Sequence, residues 1–474
     1  MFLLLLLFLP HAAQAGELMV FFYSWYGSAE HDSRWSHWDH SILPHWTPSI
    51  AAQFPGSDTR FIPPHDIHAP FFPAAGPYSS KNSTLLRAQL ASLKACGVSA
   101  IVVSWWGRPG VSTGDSQGVL TGGAAALALD AAAAVGGIRV ALHLEPYAGR
   151  TAESLAGDLA HIAAEFGSHP ALHRDATGRP VYFVYDSYHL PPHEWRRLFT
   201  AGGDLSVRGT AADGTFLGLW LEAGHGKDLA EGGFEGGYTY FAADGFSYGS
   251  TTRNWGAMAA EAAALGLSFV PSVGPGYDDS KIRPWNSHNR RDREGGGYYK
   301  RMWKAALDAT PAPSLVTVTS FNEWGEGTQI EPAVPRAIDV DALAPLGEAL
   351  PHATREALRL RLRDRYEDYG EGGPELYMEL TSGLRRSLRP PFRALTPNCE
   401  SGAGASYLGL ENKVLYYYIC FLLKVHPPMA SAPLLPACSP AAPPQARARA
   451  LAAAASPPLR TTVVNPRGAA RDAQ

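Results

Sequence analysis

Eight short apolar runs, each ended by polar or turn-forming residues, constrain this chain more than any other feature. They are "LMVFFY" (18–23), "SAIVVSW" (99–105), "IRVALHL" (138–144), "VYFVY" (181–185), "TFLGLWL" (215–221), "GYTYF" (237–241), "LSFVPSV" (267–273) and "SLVTVTSF" (314–321). Most are continuously apolar rather than alternating, as strands buried on both faces require. Segments with apolar residues at helical spacing lie between them: 83–97, 124–137, 151–167, 256–266 and 297–309. The first two end in Gly, and the third opens on Thr151 as an N-cap. Eight βα units over about 300 residues predict a closed (β/α)8 TIM barrel, an α/β fold, in one domain. An open doubly wound sheet is the alternative, but no glycine-rich phosphate fingerprint follows any run. The segment after the sixth run reads as lacking a long helix. Residues 24–82, after the first run, form a long first βα loop rich in His, Pro and aromatics, and loops of that length are usually functional.

Composition supports a filled core and narrows the partners. Of 474 residues, 46% are hydrophobic and 18% charged, which argues against disorder for the bulk of the chain. A net charge of −4 without a basic stripe leaves nucleic-acid binding without electrostatic support. The 12 Trp fit either a large core or a flat ligand such as a sugar.

The ends of the chain differ from its middle. Residues 2–9 are all apolar and Ala13-Gln14-Ala15 has the form of a signal-peptidase site. Residues 1–15 therefore read as a signal peptide or a short membrane anchor, and either implies the secretory pathway. The sequon Asn82-Ser83-Thr84 is compatible with that route. Residues 16–388 make the barrel domain. Residues 389–474, rich in Pro, Ala and Arg, read as a low-complexity, disordered tail. Its apolar run 414–423 fits a docking strand or the scar of a wrong gene model. Of four cysteines, three lie in this tail, so there is neither a disulfide framework nor a zinc pattern, and Cys96 reads as a small buried hydrophobe. No spacing of His, Cys, Asp or Glu calls for a metal, and no cofactor is expected.

In a (β/α)8 barrel the chemistry sits where the strands end. Here those ends read "SWYG" (24–27), "WWGRPG" (105–110), "EPYAGR" (145–150), "DSYH" (186–189), "EAGHG" (222–226), "AADGFSYGS" (242–250), "GPGYDDSKIRPWN" (274–286) and "NEWGEG" (322–327). Nearly every one offers a carboxylate, a Trp or a Tyr, and that clustering points to a carbohydrate site. Glycosidic bonds are usually cleaved by a carboxyl pair, one donating a proton and one acting as base or nucleophile. The candidates are Glu145, Glu222, Glu323 and Glu326. Glu323 follows the eighth run almost directly, Glu326 follows one turn later, and Trp324 between them can keep one carboxyl protonated. The plain alternative is that one of the two is a helix cap or an Arg partner. Glu145 precedes Pro146, which keeps it extended and aimed out of the barrel. Asp186 is a ligand-side candidate or the cap of the next helix. Arg283 either pairs with a carboxylate or holds a sugar hydroxyl. Tyr147, Tyr185 and Trp285 stand on the same tips and complete the candidate ligand-facing set.

Several of these segments are long, specific and in a recognisable order. "IVVSWW", "LHLEPYAGR", "VYFVYDSY", "GYTYFAADGFSYGS", "VPSVGPGYDDSKIRPWN" and "SFNEWGEGTQIEPAVP" together resemble the endo-α-1,2-mannosidases of glycoside hydrolase family 99, from about residue 18 to 384. The resemblance implies a metal-free, retaining (β/α)8 enzyme that cuts α-1,2-mannosidic bonds inside a glycan. In eukaryotes it implies action on glucosylated N-glycans in the Golgi, and in bacteria on mannan. It further implies that Glu323 deprotonates the sugar's 2-hydroxyl, which attacks C1 to give a 1,2-anhydro sugar. Glu326 would protonate the leaving oxygen and then activate water. Glu145, Tyr240, Arg283 and Asn322 would line the site, with Trp105 and Trp106 near the non-reducing-side sugar.

Two departures stand out: Gly325 where many relatives carry His, and Trp106 where the animal Golgi form carries Tyr. The expected partner is a high-mannose N-glycan or mannan, with the protein a monomer. It would lie in the Golgi lumen, be membrane-associated through its N-terminus, or be secreted. Two other readings stay open: a non-catalytic luminal glycan-binding protein, and an endo-glycanase on another α-linked polymer.

Overall fold

In the computed structural model the described residues are 16–54, 59–337 and 365–388. Residues 1–15, expected to be a signal peptide or anchor, and 389–474, expected to be a disordered tail and including the apolar run 414–423, lie outside them. Nine parallel strands form one sheet: β1 (Glu17–Phe22), β2 (Ala100–Trp105), β3 (Arg139–Leu144), β4 (Val181–Val184), β5 (Thr215–Leu219), β6 (Gly236–Tyr238), β7 (Ser268–Val270), β8 (Ser272–Val273) and β9 (Leu315–Val318). Their spatial order is β7-β6-β5-β4-β3-β2-β1-β9-β8. Only Pro271 separates β7 from β8, so the two edges of this order are halves of one strand and the sheet is a closed eight-stranded barrel. The physical reason for the split is the missing N–H of proline, which interrupts the ladder. Around it, β7 pairs with β6 (Tyr238 with Val270) and β8 pairs with β9 (Val273 with Val318).

The runs read as strands are strands, in parallel register such as Phe21 with Val102 and Val103 with Leu142. β6 stops at Tyr238, earlier than its apolar run, because Tyr240 turns to φ 54 and leaves the ladder. Helices follow the strands: α1 (Ala29–Asp32) and α2 (Pro48–Ala51) in the long first loop, then α3 (Ser83–Ala95), α4 (Gly122–Val135), α5 (Ala152–Phe166), α6 (Pro192–Phe199), α7 (His225–Gly232), α8 (Trp255–Leu265) and α9 (Gly297–Asp308). The helix read at 256–266 is α8; it follows the sixth strand after a loop, so that strand has its helix. α6 and α7 were not foreseen.

The starts are set by side chains. Asn82 accepts from the N–H groups of Thr84 and Leu85 at the head of α3, and Thr151 forms a reciprocal capping box with Ser154 on α5. Asn82 is therefore buried at the head of the helix, with its Oδ1 engaged in the cap. Cys96, expected to be buried, is half-buried at the end of α3. One continuous core fills the barrel and the strand–helix layer, including Phe21, Phe183, Tyr238 and Val318 on the strands and Leu90, Leu159 and Trp303 on the helices.

Candidate active site

The chain leaves β9 and turns back through residues 320–331. Asn322 is fully buried and continues the β1–β9 pairing with its side chain. Its Oδ1 accepts from the N–H of Tyr23 (2.7 Å), and its Nδ2 donates to the carbonyl of Tyr23 (2.8 Å) and the hydroxyl of Tyr78 (3.1 Å). Asn322 is thus committed to protein partners at the foot of the site. Trp324 is buried below the turn: its N–H donates to the Tyr26 hydroxyl (3.1 Å), and its indole N–H to Glu331 (3.0 Å). Glu331 also accepts from Tyr78 (2.7 Å) and Gln89 (2.6 Å), and burial lifts its pKa to about 7. Gly327 has φ 62, and a β-carbon there would sit 2.9 Å from the carbonyl oxygen of Asp278, so both conformation and space demand glycine.

This framework presents two carboxyls. Glu323 is 7% exposed; its Oε1 accepts from the N–H of Gly325 (3.2 Å), and its Oε2 is buried with no hydrogen-bond partner. Glu326 is more open, its side chain 23% exposed, and lies 3.4 Å from Nη1 of Arg283. The same nitrogen is 3.1 Å from Asp279, so Arg283 pairs with two carboxylates. Burial raises the pKa of Glu323 well above the carboxylate range, and the nearby charge of Glu326 raises it further. Burial also raises Glu326, with Arg283 pulling it back. Each carboxyl therefore gives up its proton less readily than a free one, and the charge of either opposes ionisation of the other. Arg283 favours the charged form of Glu326, and to a lesser extent that of Glu323.

Other strand ends close the ring. Glu145 is buried and 3.0 Å from Nδ1 of His143, whose Nε2 is 2.8 Å from the Tyr238 hydroxyl. Tyr240 bonds hydroxyl to hydroxyl with Tyr23 and meets Tyr185 edge-on at 4.7 Å. Arg150 donates to the carbonyls of Tyr185 and Asp186 (both 2.8 Å), which fixes that tip. Asp186 is left-handed (φ 45) and makes no side-chain cap bond. Trp105 is buried and Trp106 half-buried, and neither indole N–H has a hydrogen-bond partner. Three candidates stand apart from this ring. The Tyr147 hydroxyl is spent on Asp158 and Ser154. Trp285 donates to the carbonyl of Leu43 and packs on His45 and Trp46 at the rim. Glu222 is exposed at the entry to α7. Sequence reasoning missed Tyr23, His143 and Asp279. Tyr23 ends the first apolar run and could have been found by that position; His143, inside a strand, carried no local signal. Among the described residues no three His, Cys, Asp or Glu side chains form a metal-holding group.

A carboxyl pair whose proton affinities are raised, at the strand ends of a βα barrel, is equipment for glycosidic bond cleavage, and the chain is a (β/α)8 glycoside hydrolase. The comparisons with known proteins narrow the class. The profile of glycosyl hydrolase family 99 matches residues 14–345, and the chain belongs to that family. It is similar to a Danio rerio glycoprotein endo-alpha-1,2-mannosidase-like protein, with 42% identity over 369 residues, 77% of this chain and 76% of that one. A Xenopus laevis glycoprotein endo-alpha-1,2-mannosidase is 39% identical over 369 residues, 77% and 75% of the two chains. Among solved structures, the GH99 endo-alpha-mannosidase from Bacteroides thetaiotaomicron is similar at 36% identity and a TM-score of 0.67, over 79% of this chain and 98% of that one.

Proposed function

We propose that this protein is a retaining endo-α-1,2-mannosidase acting on N-glycans in the secretory pathway, most specifically the Golgi. The observation that carries the reading is the Glu323–Glu326 turn: one buried and one half-buried carboxyl, the latter backed by Arg283, on the last strand end of a family 99 barrel. In an α-mannoside the 2-hydroxyl is axial and anti to the leaving group. Glu323 takes its proton, the oxygen attacks C1, and Glu326 protonates the departing glycosidic oxygen. Glu326 then deprotonates a water that opens the 1,2-anhydro ring, and Glu323 returns a proton to the 2-oxygen. The buried, unpartnered Oε2 of Glu323 fits a base waiting for a hydroxyl. Half-buried Trp106 is the side chain on which the choice between glucose and mannose at the non-reducing side would turn. Among the described residues no helix is long and apolar enough to cross a membrane.

The test is product analysis by mass and linkage after incubation with glucosylated and plain high-mannose glycans. A disaccharide or longer piece released from an α-1,2 linkage is expected, and Glu326→Gln is expected to lower kcat by about a thousandfold while glycan binding persists. Binding without release by the wild type, or full turnover by Glu326→Gln, overturns the reading.

A further inference from the structure

Residue 325 stands on the turn that carries both carboxyls. Unlike Gly327, it is not among the residues with positive φ, so backbone conformation does not call for glycine there. Space does. A β-carbon on residue 325 would lie 2.8 Å from both Cδ2 and Nε2 of His68, and 3.2 Å from Oε1 of Glu323. Packed interiors do not accommodate such an approach without something moving.

His68 is poorly placed to move. It is 2% exposed, its N–H donates to the carbonyl of Trp38 (3.3 Å), and its ring sits among Trp38, Tyr26 and His40 at centroid distances of 5.9, 6.3 and 6.1 Å. Its Nδ1 is buried without a hydrogen-bond partner, a costly place for a polar ring if bulk were all that was needed. The neighbouring Pro70 lies along the same turn, 3.1 Å from where a β-carbon of residue 327 would be. The far end of the long first loop thus rests on the turn that bears Glu323 and Glu326.

We propose that His68 is a positioning residue for Glu323 and Glu326, carried to their turn by the first βα loop and admitted there because residue 325 has no side chain. The proposal rests on the reading of that pair as the catalytic acid and base. Pressed against Gly325, the imidazole holds the turn so that the Gly325 N–H stays on Oε1 of Glu323 (3.2 Å). Burial, then the neighbouring His40, His37 and Lys281, keep the ring neutral, so it shapes the pair without adding charge.

The test is a double-mutant cycle with an exchange. Gly325→Ala and His68→Ala are each expected to lower kcat about tenfold or more with little change in KM, since the loss is in the alignment of reacting groups. The double variant is expected to be no worse than the poorer single one, because both break one contact. Moving the imidazole across the contact, with His68→Gly and Gly325→His together, is expected to recover most of kcat, while Gly325→His alone is inactive. Melting temperatures separate these effects from loss of fold, and if Gly325→Ala does not fold the exchange pair carries the test. Multiplying single effects, or a His68→Ala enzyme with wild-type kcat and pH profile, overturns the positioning role. If instead Glu326→Gln is fully active, the reading of the pair has failed, not the contact.

Discussion

Arg283 shows how one side chain sets the working range of the site. Its guanidinium pairs with both Glu326 and Asp279 and favours the ionised form of Glu326. Removing it leaves burial and the mutual repulsion of the two glutamates unopposed, so both proton losses of the pair move up in pH. In Arg283→Gln the bell-shaped profile of kcat/KM is therefore expected to shift whole to higher pH, with a lower maximum. Unchanged limbs would mean that Arg283 does not act on the pair. Glu323, Glu326 and Arg283 were legible in the sequence because each sits on a strand end, a place that local pattern identifies. What Asn322 does was not. The family resemblance implies that it lines the site, yet its side chain is occupied with the backbone of Tyr23, 299 positions earlier. A polar residue's partner on a neighbouring strand, far off in sequence, leaves no trace in its own neighbourhood. Gly325 is the same case in reverse: its meaning lies in His68, a residue of another loop.

At the scale of elements, the loop after β8 holds the loop after β9 through Arg293. Its Nη2 donates to the carbonyls of Gly327 and Gln329, both at 2.8 Å. Its guanidinium lies over Phe71, Tyr369 and Tyr377, 4.5 to 4.9 Å from the ring centroids. Its remaining nitrogens face these rings and have no hydrogen-bond partner. A planar, weakly hydrated cation suits this box; an ammonium does not. Arg293→Lys is expected to cost ~2 kcal/mol of stability, read by denaturant unfolding, and to lower kcat as the carboxyl turn loosens. A stability within error of wild type would show that the clamp is idle.

The elements themselves were uneven in legibility. Parallel strands, covered on both faces, write themselves as unbroken apolar runs, and all eight were found. α6 and α7 were not, since "PHEWRRLF" and "HGKDLAEG" are only about two turns long, too short for a helical period to show. They are helical because packing against the barrel decides: Trp195, Leu198 and Phe199 of α6 are buried on one face.

For the molecule as a whole, Glu331 is the joint at which distant parts of the chain meet. Tyr78 from the first loop, Gln89 from α3 and Trp324 from the carboxyl turn all donate to its side chain. Tyr369 from the C-terminal segment donates to its carbonyl. These bonds favour the charged form, but full burial outweighs them and raises the pKa from 4.5 to about 7. The folded protein therefore binds this proton more tightly than the unfolded chain does. The resulting stability is complete below about pH 4.5 and is lost as pH rises through 7, a swing of ~3 kcal/mol. Glu331→Gln fills the same space, accepts from Tyr78 and Trp324 through its carbonyl oxygen, and cannot ionise. Against wild type, its unfolding free energy is expected to rise progressively between pH 5 and 8, by an amount approaching that swing, and to run parallel above it. The comparison must be made as a difference at each pH, because ion-paired carboxylates elsewhere push overall stability the opposite way. Unfolding curves for the two proteins that stay parallel from pH 5 to 8 would show that Glu331 is already ionised in the fold, and that the joint is held by charge rather than by a buried proton.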